Sequence, residues 1–451
     1  MTANNRRVLF IAYHFPPSSA VGGQRTANFS RYLPSFGWEP HVLTIQDKDI
    51  DHLDPDRLRG LDHVQIHKVG VLPTPVGAWK AARGLFRGPA ETTREVSDSS
   101  PVGDGATSGV ESLAGKLKRY LLSLLVLPDV HNGWIPSATL RALREVRRHR
   151  IEWIVTSCPP YSVHVIGLVV KSLTGRRWAA DFRDPWMTGH PKAMGPISAL
   201  SRRIESWLER KVVEKADLVV FNTDRLRDAY RRRYAHVPGS KFVYIPNGIA
   251  EWHSTADGDP VEKYDVFTLS YTGSLYVGRS PEPIFQAVTH LIQSGRLNPE
   301  DIRIKLVGQC RMLEGVPMSS VIERYGLDSV VEVRDSVPQA EAAEIVRRSH
   351  LALLFAPRLA FQIPAKVYDY FSVGTRILAI TDEGATADLV RQTDTGATFA
   401  TNDVGEIGEF IAKEMSAPRP ADGKPSAELL RFDARTLTEE LVGRLEGVAR
   451  D

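Results

Sequence analysis

Short runs of consecutive apolar residues alternate along this chain with stretches whose apolar residues recur at helical spacing, and the alternation runs twice. Val8-Leu-Phe-Ile-Ala12 has strand length, a loop with Pro16, Pro17, Gly22 and Gly23 follows, and Phe29, Tyr32, Leu33 and Phe36 then repeat as one helix face. Gly37 stops that helix, and His41 to Ile45 is the next strand. Continuously apolar strands are buried on both sides, so such strand-helix-strand units predict an α/β fold with parallel sheets covered by helices. At 451 residues the chain exceeds one ordinary core, and two domains are expected.

In the first half, Ile154-Val155 ends at Cys158-Pro-Pro, a helix carries Val163, Ile166, Gly167 and Val170, and Trp178-Ala-Ala180 is a short strand. A basic helix from Ser201 to Lys215 precedes the strand Asp217 to Phe221, and Phe242 to Ile245 is another strand, ended by Pro246-Asn-Gly248. Polar, aperiodic sequence follows, and then the alternation restarts. Strands are predicted at 267–271, 302–307, 330–333, 351–355 and 377–380, with helical stretches between them and a last helix striped by Leu437, Leu441, Leu445 and Val448. The expected division is a first domain over 1–250, a linker over 251–265, a second domain over 266–430 and a C-terminal helix over 431–451. Residues of about 74–112 are rich in Gly, Pro, Ser, Thr and acids and read as a mobile insertion in the first domain.

With 57 basic against 54 acidic residues, the net charge is +3, which gives no argument for a nucleic-acid partner. Cys158 and Cys310 are too few for a disulfide framework or a structural zinc site and suit a reducing cytoplasm. No apolar run approaches the roughly 20 residues of a membrane span, and the N-terminal apolar strand is too short for a signal peptide. Lys116, Lys118 and Arg119 run into the leucine-rich 120–127 segment. That pattern fits a helix packed on its own domain with solvated lysines, or a basic edge resting on an anionic membrane surface.

Four stretches carry candidate chemistry. Gly22-Gly23 follows the first strand, where open α/β sheets bind ligands and glycine lets the backbone approach a phosphate or sugar; the same pair also suits an ordinary turn. Asp181-Phe-Arg-Asp-Pro-Trp186 crowds Asp181, Arg183, Asp184 and an exposed-prone Trp at the end of a strand, as an acceptor-holding or base-bearing cluster or as an Asp–Arg pair closing a turn. Gly273-Ser-Leu-Tyr-Val-Gly-Arg-Ser280 approaches a P-loop but has Arg279 for the lysine and Pro281 and Pro283 where that motif's helix runs; it keeps a glycine loop with an arginine fork suited to phosphate oxygens. In the fourth stretch, Ile363 to Ile380, Pro364 opens a helix, Val367, Tyr370 and Phe371 form its buried face, Gly374 ends it and 377–380 is a strand. Lys366 and Asp369 fall off the apolar face, beside a helix N-terminus that suits a phosphate or sugar hydroxyls. The acidic runs Asp47 to Asp56 and Asp257-Gly-Asp259 lie in polar loops rather than behind an apolar strand and read as solvated. His-Glu-x-x-His, Gly-x-Ser-x-Gly and Cys-x-x-Cys are absent, which argues against zinc-protease, serine-hydrolase and thioredoxin-like chemistry.

Taken together, Gly22-Gly23, Ile245-Pro-Asn-Gly248, the segment Tyr271 to Arg279 and Ile363-Pro-Ala-Lys-Val-Tyr-Asp-Tyr-Phe-Ser-Val-Gly374 resemble the GT-B-fold glycosyltransferases of family 4. Thr156-Ser-Cys-Pro-Pro160 with Asp181 to Trp186 looks like a bacterial subgroup associated with envelope polysaccharides. The resemblance implies two Rossmann-like domains facing across a cleft, the C-terminal helix packing back on the first domain. It further implies a retaining, metal-independent transfer from a nucleotide-diphosphate sugar, with no cofactor, to a glycan or lipid-linked acceptor, in the cytoplasm or at the inner face of the plasma membrane. Donor-site residues would be Gly22, Gly23, Gly273, Arg279, the backbone of Gln362, Ile363 and Pro364, Lys366, and Asp369 on the ribose diol; Asp181, Arg183 and Asp184 are the catalytic candidates. Three positions depart from the family. The first Glu of its usual Glu, seven residues, Glu pattern is Phe361 and the second is Asp369; no lysine follows Arg279; and Arg183 stands at the strand end where many members have histidine. A catalytically silent nucleotide-sugar-binding protein and a nucleotide-sugar epimerase of the same fold are the alternatives.

Overall fold

The computed structural model describes residues 6–74, 124–188, 198–250, 262–276, 278–416 and 427–448. The expected insertion (apart from residue 74), the 116–123 part of the basic and leucine-rich segment, most of the linker and Asp257-Gly-Asp259 lie outside these. Two compact units are formed, Met1–Gly23 with Glu39–Val219 and Gln24–Trp38 with Val220–Asp451.

The first sheet contains β1 (Arg6–Ile11), β2 (Trp38–Ile45), β3 (Gln65–Val69), β4 (Trp153–Cys158), β5 (Arg177–Phe182), β6 (Leu218–Phe221) and β7 (Phe242–Tyr244), in the order β3-β2-β1-β4-β5-β6-β7. β1 pairs in parallel with β4, β2 with β3, and β4 with β5. The strand order runs outward in both directions from β1 and β4, so the loops leaving those two strands diverge and open a crevice at their C-terminal ends. β4 is buried along its whole length: Trp153, Ile154 and Val155 are apolar, and the Thr156 and Ser157 hydroxyls that follow are hydrogen-bonded inside the fold.

The second sheet contains β8 (Phe267–Thr272), β9 (Ile302–Val307), β12 (Val331–Arg334), β13 (Leu351–Ala356), β14 (Arg376–Thr381) and β15 (Gly396–Phe399), in the order β12-β9-β8-β13-β14-β15. A short antiparallel ribbon of β10 (Met312–Leu313) and β11 (Val316–Pro317) stands apart from it. Here the order reverses between β8 and β13. One face is packed by Ile284, Phe285, Val288 and Leu291 of the helix Glu282–Gln293, and the other by Val367, Tyr370 and Phe371 of the helix Lys366–Val373. Fully burying such side chains stabilises by about 1.5–3 kcal/mol each. Pro283 is accepted because it falls in the first turn of its helix, where its missing N–H has no intrahelical partner to lose.

Two parts of the fold differ from the sequence reading: the end of the first helix and the short strands. The predicted helix through Phe36 stops as an α-helix at Tyr32 and continues as a 3-10 turn over Leu33–Phe36, because Pro34 has no N–H to donate. β3 and β15 are short edge strands without a continuous apolar run, and the β10–β11 ribbon is shorter still. The C-terminal helix Ala434–Val448 packs on the helix Gln24–Tyr32, bringing the chain's end back to a segment of its N-terminal half.

Candidate functional site

In the second unit the loops after β8 and β13, the pair flanking the strand-order reversal, carry the basic residues. Gly273 leaves β8 at φ 141°, a conformation favourable only for glycine, and its N–H donates to the Val307 carbonyl at 2.7 Å. A β-carbon at Gly273 would overlap Nζ of Lys366, and one at Gly308 (φ 122°) would overlap the Gly273 carbonyl. The same carbonyl accepts from the Cys310 thiol at 3.2 Å. Two glycines thus let the β8 loop lie flat on the end of β9 while the lysine from beyond β13 crosses it.

The helix Lys366–Val373 is set by its buried face and by Gly374, whose φ of 69° ends it. Tyr370 anchors it through a hydroxyl donated to the Leu353 carbonyl at 2.9 Å. Lys366 leads the helix, and Asp369, one turn on, is exposed. Burial pushes the Lys366 ammonium below the ordinary lysine value; Asp369 draws it up, and nearby Arg279 draws it further down. The Lys366 Nζ lies 5.5 Å from the centre of the Tyr271 ring, and the Arg279 guanidinium 4.1 Å from that of Tyr276. Burial raises the Tyr271 hydroxyl to about 12, opposed by Arg279, and the Cys310 thiol to about 11, opposed by Lys366. Neither Lys366 nor Arg279 has a carboxylate in ion-pair contact among the described residues. Two neighbouring cations, with Asp369 nearby but no carboxylate in ion-pair contact among the described residues, stand beside a helix N-terminus and form a place for an anion with several oxygens.

The backbone between β13 and this helix is clamped. Thr223 donates its hydroxyl to the Phe361 carbonyl at 2.7 Å, Thr386 to the Gln362 carbonyl at 3.0 Å, and the Ala385 N–H to the Ala360 carbonyl at 3.0 Å. Ile363 is buried, and Pro364 accepts from the Val367 N–H at 3.1 Å. Phe361, which stands where the resemblance would place a glutamate, contributes its carbonyl to holding the loop.

In the first unit the loops after β1 and β4 meet at the other strand-order reversal, and Arg183 joins them. Its Nε donates to the Cys158 carbonyl at 2.8 Å, Nη2 to the Pro159 carbonyl at 2.8 Å and Nη1 to the Gly22 carbonyl at 2.5 Å. A β-carbon at Gly22 would stand 3.2 Å from both the guanidinium and the His14 ring, and one at Gly23 would stand 3.0 Å from the Phe15 α-carbon. The glycine pair is therefore required by close packing within its own unit. Asp181 is buried and accepts from the Ser157 hydroxyl at 2.8 Å, while Asp184 is partly exposed. Trp186, expected to be exposed, is fully buried: it stacks on Tyr161 with ring centres 5.0 Å apart and donates to Glu205 at 3.0 Å. Apolar area and an N–H partner inside the fold outweigh its position at a strand end.

Three neighbours of these sites carried no sequence signal of their own. Arg358 has a φ of 60° and reaches over Gly278, where a β-carbon would stand 2.9 Å from its guanidinium. Glu314 accepts from the Gly278 N–H at 3.0 Å, and Cys310 lies under Gly273. A non-glycine residue at positive φ becomes visible only once the backbone is traced, and glycine-loop partners from other strands have no fixed spacing.

Residues 102–248 match the model of the glycosyl transferase 4-like domain. No curated protein matches the sequence. Similar solved structures include a sucrose-phosphate synthase from Thermosynechococcus elongatus, 14% identical with a TM-score of 0.63, covering 99% of each chain. HepE of Anabaena in complex with UDP and glucose is 13% identical with a TM-score of 0.59, covering 98% of this chain and 100% of that one. WaaG, a glycosyltransferase involved in lipopolysaccharide biosynthesis, is 13% identical with a TM-score of 0.56, covering 98% and 100%. The family match and the shared fold agree with the resemblance to GT-B glycosyltransferases of family 4, and neither reaches the envelope-polysaccharide subgroup.

Proposed function

We infer that this chain, a GT-B-fold protein of the family 4 glycosyltransferase type, transfers a sugar from a nucleoside-diphosphate sugar to a hydroxyl of a glycan or lipid-linked acceptor. The observation that carries this is the pairing of Lys366 with Arg279 at the end of β8, two cations without an ion-pair partner among the described residues, beside the helix that starts at Lys366. Negative charge builds on the departing diphosphate as the glycosidic bond breaks, and fixed cations stabilise it without reorganising at that moment. The UDP and glucose bound by the Anabaena protein support the same class of donor.

Within this reading Lys366 and Arg279 hold the diphosphate, Asp369 accepts from the ribose diol, and the clamped backbone of Gln362 to Pro364 meets the donor sugar. Because those cations meet the leaving group's charge, the reaction needs no metal and no further cofactor. On the acceptor side Asp184, partly exposed, is the carboxylate able to meet a hydroxyl; Asp181 is buried against the Ser157 hydroxyl, and Arg183 fixes the loop at Gly22. Retention of anomeric configuration rests on the family resemblance. A cytoplasmic setting is supported by two free, buried thiols. No helix among the described residues is long and apolar enough to cross a membrane.

The test is to incubate the full chain with a panel of nucleoside-diphosphate sugars and glycan or lipid-linked acceptors, with and without chelator. Free nucleoside diphosphate and the anomer of the product are followed. One donor is expected to turn over with its configuration kept, in chelator as well as without. Binding without turnover on every acceptor would instead identify a silent nucleotide-sugar-binding protein, and epimer formation without acceptor would identify an epimerase. Turnover lost in chelator and restored by a divalent ion would refute the metal-free mechanism.

A further inference from the structure

A cluster of three histidines in the first unit takes no part in the chemistry above. His41 is in β2 and His67 in β3, and because Leu43 pairs with His67 in parallel register, His41, two residues earlier, projects from the same face of the sheet. The helix Ile135–Arg148 packs beside β3, with Arg141 and Glu145 one turn apart, and His149 caps its C-terminus another turn along. One ring nitrogen from each of His41, His67 and His149 lies within 4.8 Å of the other two. His41 is wholly buried.

The ring orientations matter more than the proximity. His41 Nδ1 and His67 Nε2 face each other at 3.1 Å, close to the roughly 3.3 Å between two nitrogens sharing a tetrahedral zinc ion. The remote nitrogen of His41, Nε2, lies 3.2 Å from Glu39, and that of His67, Nδ1, lies 3.7 Å from Glu145 and 3.4 Å from the Arg141 guanidinium that pairs with the same Glu145. His149 Nε2 is 3.1 Å from the same Glu145 oxygen. The carboxylates are themselves held, Glu39 by Arg7 at 2.7 Å and Glu145 by Arg141 at 2.6 Å. Behind His41 and His67, whose facing nitrogens converge, such carboxylates are the arrangement that fixes ring tautomer and orientation around a metal. Imidazole nitrogens suit zinc and its neighbours among the divalent transition metals.

We propose that His41, His67 and His149 form a binding site for a divalent transition metal, zinc above all, with Glu39 and Glu145 as its orienting carboxylates. The site ties β2, β3 and the end of the helix Ile135–Arg148 together. His149 leads into β4 at its N-terminal end, whereas the Gly22-Gly23 loop follows β1 at its C-terminal end. In a parallel sheet these are opposite edges, so the metal is a structural staple that takes no part in sugar transfer.

The full chain, produced without a polyhistidine tag and stripped with chelator, is desalted after addition of Zn2+ or Co2+ and analysed for metal content, visible absorption and melting temperature. One equivalent retained per chain, a higher melting temperature and the intense visible bands of tetrahedral cobalt are expected. All three should disappear in His149→Ala and in His67→Gln, with far-UV circular dichroism reporting that both variants remain folded. Failure of the unsubstituted chain to retain stoichiometric metal would overturn the proposal, whatever the variants do. So would equal retention by a folded His149→Ala, since the three imidazoles would then serve as a hydrogen-bonded network only.

Discussion

Lys366 occupies the space that a side chain at Gly273 would need, so the glycine and the lysine form one feature although 93 residues separate them in sequence. Gly273→Ala must push the ammonium away and also force alanine into φ 141°, a conformation that L-residues rarely adopt. Loss of a charge-assisted hydrogen bond is worth about 1.5–3 kcal/mol, or roughly 10- to 100-fold in affinity. Both Gly273→Ala and Lys366→Ala are expected to weaken nucleoside-diphosphate binding to that extent in calorimetric titration. The double variant should be little worse than either single one, because both remove the same contact. Additive losses would mean that the two residues act separately.

Arg279 sits in the same loop over the Tyr276 ring, and its planar fork is matched to two phosphate oxygens. Arg279→Ala should cost a nucleoside diphosphate roughly 10-fold or more while leaving a bare nucleoside nearly unaffected. Arg279→Lys should restore only part of the loss, since an ammonium replaces the fork with a point charge. Arg358 is exposed and reaches the loop from beyond β13, so Arg358→Ala should have a smaller effect in the same direction. Equal losses for nucleoside and diphosphate after Arg279→Ala would move that residue from the phosphates to the base.

Arg183, a catalytic candidate from its position after β5, has its guanidinium directed at three backbone carbonyls. A lysine at this position cannot span Cys158, Pro159 and Gly22 at once. Arg183→Lys is therefore expected to lower stability by about 2–4 kcal/mol, from unmade bonds to partly buried carbonyls. Turnover should fall with the loosened loop, whereas nucleoside-diphosphate affinity, a property of the second unit, should hold. A stable Arg183→Lys with lost turnover would restore a direct chemical role.

Periodicity made the central strands legible: β13 is apolar throughout and β14 over Ile377–Ile380, β4 opens on three apolar residues, and β8 carries Phe267, Leu269 and Tyr271 at every second position. Edge strands β3 and β15 were hidden for the converse reason. The helix Lys366–Val373 was readable to its last residue because Gly374 and the Val367, Tyr370, Phe371 face are local signals. Which side chains would meet was not readable. The proximity of Lys366 to Gly273, of Arg358 to Gly278 and of His41 to His67 and His149 depends on strand order, and strand order is a long-range property that no residue window encodes. Trp186 was misread because its partners Tyr161 and Glu205 come from other elements.

Acid should destabilise the first unit through His164. This side chain is fully buried, shares a hydrogen bond with the Thr156 hydroxyl at 2.8 Å, and burial lowers its pKa to about 3 from 6.5, with Arg183 adding to the shift. Below pH 6.5 the unfolded chain takes up a proton that the folded chain refuses, so stability is fully present above 6.5 and declines as the pH falls toward 3. At pH 5 the loss from this group alone is about 2 kcal/mol. Urea unfolding of the full chain at pH 7 and pH 5 should show it, and His164→Gln, which cannot titrate, should flatten that part of the profile while being less stable at pH 7. An unchanged difference between the two pH values in a folded His164→Gln would assign the acid sensitivity to other buried groups.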